Sequence, residues 1–257
     1  MKRLLLTSAI AVAAILPSFG WGQKGHDVTA FIAENHLSEP AKHAVDSLLE
    51  GKSMVYWANW LDNASHTKEY QYSKTWHYKN VDEGVRYEEA QANPAGDAVT
   101  AIKAQIETLQ SPDTSFADKQ LALKMLIHIV GDLHMPLHMG HATDLGGNRI
   151  KGKFFGRDTN LHSMWDSSIP ESAHKWSYSE WQQQIDRATP DEQIQIVSGN
   201  IDDWAKETIL IANQVYQDFP EGFKASYDEV ARWAPTVEQQ LLRGGLRLAS
   251  LLNSIFQ

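Results

Sequence analysis

The stretch His128-Ile129-Val130-Gly131-Asp132-Leu133-His134-Met135-Pro136-Leu137-His138 closes an apolar run that begins at Phe116. Over that run Leu121, Leu123, Met125, Leu126, Ile127, Ile129 and Val130 are apolar nearly all round, the pattern of a helix through a core. His128 and Asp132 stand four apart and so share one face of the helix. Gly131 leaves the backbone open beside them. Pro136 takes the chain off the helix, and the bend can return His138 to the same side, with three donor groups around one cavity. A lone His/Asp pair at this spacing is ordinarily a surface ion pair worth roughly a few tenths of a kcal/mol. Here the flanking residues are apolar and the pair belongs to the interior. A carboxylate and imidazoles are costly there without compensation, and a metal ion supplies it.

Working outward, His162 and Asp166 repeat the same spacing in Asn160-Leu161-His162-Ser163-Met164-Trp165-Asp166, and Asn160 is suited to cap their helix. Ala58-Asn59-Trp60-Leu61-Asp62 places a carboxylate at the end of an aromatic segment, and His77 follows fifteen residues later in Trp76-His77-Tyr78-Lys79-Asn80. Each of these two segments, read alone, is equally an aromatic core cluster around one hydrogen-bonded polar residue.

The rest of the chain is predominantly helical by pattern: Asp97–Gln110, Phe116–Leu133, Asp191–Asp218 and Tyr227–Ile255, with Pro220 and Pro235 read as breakers. Gly140–Asn160 is the exception, rich in Gly, Asn and Asp, with one short hairpin near Arg149–Phe155. No repeat or linker divides residues 21–257, which points to one mainly α domain with at most that hairpin. Ahead of it, Lys2 and Arg3 precede an uncharged run from Leu4 to Leu16 and then Ser18-Phe19-Gly20, a secretory leader over residues 1–20 with cleavage before Trp21. The run is well short of the roughly 20 residues that span a bilayer. A secreted or periplasmic protein with no membrane anchor after cleavage follows. Trp21 would then carry a free α-amine, which together with its own carbonyl can chelate a metal, with His26 one turn on.

The 257 residues contain no cysteine, so neither a disulfide framework nor a thiolate metal site is open to the chain. Any metal rests on imidazole, carboxylate or backbone groups. The net charge of −9 becomes −11 once the leader is removed. That balance argues against broad, charge-driven wrapping of nucleic acid.

Taken together, these motifs resemble the secreted zinc-dependent single-strand nucleases, the S1/P1 family, whose fold is that of the phospholipase C/nuclease group. The similarity spans the mature chain: Trp21 with His26, Ala-Asn-Trp-Leu-Asp62, His77, the Gly-Asp-x-His-x-Pro-Leu-His string ending at His138, Gly146-Gly147-Asn148, and Asn160-Leu-His162-x3-Asp166. The resemblance implies three zinc ions. Asp62, His77, His128 and Asp132 would hold one, and His138, His162 and Asp166 a second. The amine and carbonyl of Trp21, His26 and a bridging Asp132 would hold the third. It implies further that Asp62 orients the attacking water, that Tyr78 stacks on a base, that Asn80 reads the base edge, and that His134 supports the ligands from behind. Three dications against three aspartates make the cleft locally cationic, whatever the net charge. The expected reaction is hydrolysis of single-stranded DNA and RNA to 5′-phosphate products, with 3′-mononucleotides also dephosphorylated, by a monomer. The sequence departs from the fungal and plant members in lacking disulfides and in a short His26–Asp62 segment. A zinc phospholipase C of the same fold is the nearest rival, but it would carry Tyr and Asn where this chain has Ile129 and Ala142. A non-catalytic zinc-binding protein is the other.

Overall fold

The computed structural model describes residues 21–257; the leader read over residues 1–20 lies outside them. Twelve α-helices account for most of these residues. In the N-terminal half they are α1 (Gln23–Asn35), α2 (Glu39–Leu48), α3 (Met54–Trp57), α4 (Trp60–Ala64), α5 (Ala98–Gln110) and α6 (Phe116–Leu133). The C-terminal half holds α7 (Leu161–Ser163), α8 (Ile169–Ala173), α9 (Tyr178–Ile185), α10 (Pro190–Val197), α11 (Ile201–Asp218) and α12 (Tyr227–Ile255).

Local chemistry sets the ends of the long helices. Ser115 caps α6 by accepting from Asp118 N at 3.1 Å, and Asp97 and Thr100 form a reciprocal box at the start of α5. The expected single helix over 191–218 is two helices. Gly199, at φ +82°, takes the left-handed conformation after α10, and the Asn200 side chain then accepts from Asp202 N and Asp203 N to start α11. Pro235, read as a breaker, lies inside α12. It sits on the exposed face, as does Ala231, the residue whose carbonyl a proline at 235 leaves without its helical donor.

The hairpin is present as β1 (Lys151–Phe154) and β2 (Arg157–Asn160), turning through Phe155 and Gly156 at φ +48° and +76°. A third strand, β3 (Phe223–Ala225), pairs parallel to β1, so the hairpin is the core of a three-stranded sheet ordered β2-β1-β3. No local pattern marks so short a strand. It exists because Gly152 leaves room for the Phe223 ring, which a Cβ at that position would strike.

Two apolar clusters make the core. One gathers Leu123, Leu126, Ile127, Ile129 and Val130 of α6 with Ile102 of α5 and Leu61 of α4. The other is built on Trp21, Trp165, Trp181, Trp233 and Phe219 with Met135 and Leu137. The segment His128–His138 runs from the first cluster into the second, and its polar residues lie at the junction. Burial there is complete: His128, Asp132 and His134 have no exposed surface.

Candidate metal centre

Asp132 is the hub. Its Oδ2 lies 2.9 Å from His77 Nδ1 and 3.1 Å from His128 Nε2, while its Oδ1 lies 3.3 Å from His26 Nε2 and 3.4 Å from His138 Nδ1. Asp62 Oδ1 approaches from α4, 3.3 Å from His128 Nε2 and 3.8 Å from His77 Nδ1. His77 Nδ1 and His128 Nε2 are themselves 3.1 Å apart. The two faces of one carboxylate thus meet two different groups of imidazoles. The rings pack as closely as the donors: His26 stacks on His128 at 3.9 Å, and His138 on His162 at 5.2 Å. Gly131 permits this, since a Cβ there would come within 2.9 Å of His26 Nδ1.

Backbone carbonyls fix the tautomers of three histidines. His128 Nδ1 donates to Ala58 O at 2.7 Å, His138 Nδ1 to His77 O at 2.6 Å, and His162 Nδ1 to Gly146 O at 2.7 Å. Each bond fixes its ring's orientation and leaves Nε2 as the second nitrogen available to a ligand. Gly146 delivers its carbonyl from a left-handed turn, Leu145-Gly146-Gly147, at φ +60°, +62° and +81°.

Electrostatics follow from packing. Burial alone would raise Asp132, but His128 and His138 hold its carboxyl well below the ordinary range. Burial would likewise lower His128, but Asp132 and Asp62 hold it well above. Asp62 is lowered too: burial opposes this, and His128 outweighs it. Burial lowers the imidazoles of His26 and His162, and that of His138 down to about 3. His26 Nε2, Asp62 Oδ1, Asp132 Oδ1 and His162 Nε2 are buried with no hydrogen-bond partner among the described residues. Natural proteins rarely bury so many unmet donors and acceptors together.

That donor set fits a metal. Donors about 2.0–2.1 Å from a tetrahedral ion lie roughly 3.3 Å from each other; the Asp62 and Asp132 oxygens stand 2.9–3.8 Å from the His77 and His128 nitrogens, and those two nitrogens 3.1 Å from one another. Neutral imidazole with carboxylate is the chemistry of a zinc site without thiolates. Among the described residues, His26, Asp62 and His128 form one triplet with donors within 4.8 Å, and His77, His128 and Asp132 another. The remaining expected residues are neighbours without closing to that spacing. His162 stacks on His138, Asp166 is buried one turn on, and Gly22 N donates to Asp166 O at 2.9 Å, which brings the fully buried Trp21 alongside. Asp166 lies on a π-helical turn, Met164–Ser168, a local irregularity common at functional sites.

Tyr78 and Asn80 line a cavity of about 360 Å³ with His138, His162, Leu137, Leu145 and Asn148. Tyr78 is half-buried, and burial pushes its phenol up. His134 stands apart. Its Nδ1 donates to Val130 O at 2.8 Å, and its Nε2 accepts from Arg247 Nη1 at 3.1 Å, on the side of α6 turned to α12. Its hydrogen-bond partners are thus Val130 and Arg247, neither of them an expected ligand. Sequence reading missed Arg247, the three orienting carbonyls, and Leu137 and Leu145 as cavity walls. The cue for Leu145 was the glycine pair after it.

The family model described as S1/P1 nuclease matches residues 21–257. Nuclease S1 of Aspergillus oryzae is 29% identical to this chain, over 99% of it and 98% of the relative. Endonuclease 2 of Arabidopsis thaliana is 30% identical over 92% and 91%, and nuclease P1 of Penicillium citrinum 28% identical over 91% and 97%.

Proposed function

This chain belongs to the S1/P1 nuclease family, and we propose on that premise a zinc-dependent, single-strand-specific nuclease with three ions per chain. The observation that carries the reading is the Asp132 carboxylate, shared by imidazoles on both of its oxygens. Asp62, His77, His128 and Asp132 would hold one ion, and His138, His162 and Asp166 a second. The third would rest on the Trp21 amine and carbonyl, His26 and Asp132. Zinc supplies Lewis acidity at such a site, making water more acidic and neutralising charge that builds on a phosphate.

The chain's own residues do the rest. Asp62 is 28% exposed where Asp132 is wholly buried, and its carboxylate accepts the hydrogen bond of a water at the mouth of the centre and aims it at phosphorus. Tyr78 offers a ring to an unpaired base and Asn80 an amide to its edge, so a base already out of a duplex is favoured. No side chain need become a covalent nucleophile. The water oxygen would bond to phosphorus as the P–O3′ bond breaks and a proton passes to O3′, so that the products carry a 5′-phosphate and a 3′-hydroxyl; 3′-mononucleotides would lose phosphate by the same step. Ile129 and Ala142, in place of Tyr and Asn, disfavour a phospholipase. No helix among the described residues is long and apolar enough to cross a membrane, and the leader would send the chain to the periplasm or the medium.

Dialysis of the mature protein against a chelator should abolish release of acid-soluble nucleotides from single-stranded DNA and RNA, and zinc should restore it. Full activity without metal refutes the proposal. Metal analysis that finds fewer than three zinc ions per active chain refutes the stoichiometry alone.

A further inference from the structure

Tyr78 and Asn80 border two cavities. One is the 360 Å³ space that includes His138 and His162; the other, of about 480 Å³, opens beside Lys79, Asp82, Gln91, Asn93 and Asp97. The second contains none of the proposed metal ligands. Its size is that of a small-molecule site, and its walls combine short apolar surfaces (Ala90, Ala92, Pro94, Val85) with amide groups.

The two cavities are fixed to each other by backbone. Lys79 N donates to His138 O at 2.9 Å and Val81 N to Gly140 O at 2.8 Å, while Ala98 N donates to Tyr78 O at 3.0 Å. The strip that carries Tyr78 and Asn80 is thus bonded on one side to the ligand segment and on the other to the start of α5.

Charge decides what the second cavity takes. Asp82, Glu89 and Asp97 line it against the single cation Lys79, whose Nζ is bound to Asp97 Oδ2 at 2.9 Å. Asp82 Oδ1 accepts from Thr143 N and Thr143 Oγ1 at 3.1 and 3.0 Å, and Glu89 pairs with Arg86. A phosphate would meet three carboxylates and no available cation. A neutral planar group, held against an aromatic ring and apolar walls with amides at its edge, meets no such penalty. We propose that this cavity is a second base subsite, which takes the base of the nucleotide next to the one bound beside His138 and His162. Tyr78 is the shared platform, and the phosphodiester between the two nucleotides stays on the side of the metal centre. The subsite rests on the nuclease reading, since it assumes a polynucleotide across that centre. It makes a single strand of two or more nucleotides a better substrate than one nucleotide.

The test compares kcat/KM for phosphate release from a 3′-mononucleotide with kcat/KM for cleavage of a single-stranded tetranucleotide. Ala92→Trp fills the second cavity from an exposed position, and Gln91→Ala removes an amide without adding bulk. The tetranucleotide-to-mononucleotide ratio should fall about tenfold in Ala92→Trp and about threefold in Gln91→Ala, with melting temperatures unchanged. A ratio equal to the unmodified protein's in both variants overturns the subsite and leaves the nuclease reading intact. Absence of turnover on both substrates by the unmodified, zinc-loaded protein overturns the nuclease reading, and the subsite falls with it.

Discussion

Two polar clusters are buried at the same end of α6, and they differ in whether their hydrogen bonds close. His134 is complete: Val130 O accepts from one ring nitrogen, Arg247 donates to the other, and Gln240 Nε2 donates to its carbonyl at 2.8 Å. Arg247 is complete as well, through Ile196 O at 2.8 Å and Glu207. Two residues away in sequence, the Asp132 cluster leaves His26 Nε2, Asp62 Oδ1 and Asp132 Oδ1 without hydrogen-bond partners, although five imidazoles and two carboxylates crowd the same space. Each cluster is centred on a wholly buried histidine, His134 in one and His128 in the other, so burial of an imidazole does not tell them apart. An Arg247 guanidinium satisfies the first; the second has the donor set of a cation it does not itself supply.

The comparison breaks most sharply at Asp132. Asp132→Asn removes one anion from between imidazoles on both sides, and nuclease activity should fall by about 10³-fold or more, with zinc content falling in parallel. Metal analysis beside the nuclease assay checks this; full zinc content in an inactive variant would move Asp132 from ligand to some other role. Arg247→Leu is the converse. It strips donors from His134 and Ile196 O while Glu207, being 44% exposed, regains water. Loss of about 2–4 kcal/mol in urea unfolding is expected, with zinc content retained. Equal stability would show that the His134 cluster contributes packing and nothing more.

How much of this was legible in the sequence depends on how far a feature reaches along the chain. The α6 segment and the shared face of His128 and Asp132 follow from periodicity alone, because an 18-residue helix carries its own pattern. The bend at Pro136 that returns His138 to Asp132 is equally local. The break at Gly199 was visible as Ser-Gly-Asn but was outweighed by the helical spacing on both sides. Pro235 was misread because exposure of the opposite carbonyl, which decides its cost, is a tertiary fact. The carbonyls of Ala58, His77 and Gly146 are not encoded by side-chain type at all, since any residue supplies one. Arg247, 113 residues from His134, left no pairwise sign. The proposed ligand set rests on resemblance as much as on spacing, since Asp62 and His77 taken alone read equally well as core residues.

The finest separation of the two clusters is by pH. Burial, with Arg247 beside it, pushes His134 down to about 3 in the folded chain, against about 6.5 when unfolded. Between those values the unfolded chain holds a proton that the folded one lacks. Stability from this residue is therefore whole above pH 6.5 and is lost as pH falls toward 3, at up to about 1.4 kcal/mol per pH unit. His134→Gln keeps a polar side chain but cannot titrate, so its unfolding free energy should decline with acid by about one proton less than the parent over that window. Because His138 is held down in the same way, both proteins should be compared with zinc removed, where the His138 contribution is common to both and cancels. A slope unchanged by His134→Gln would mean that His134 takes up its proton in the fold, which Arg247 at 3.1 Å should forbid.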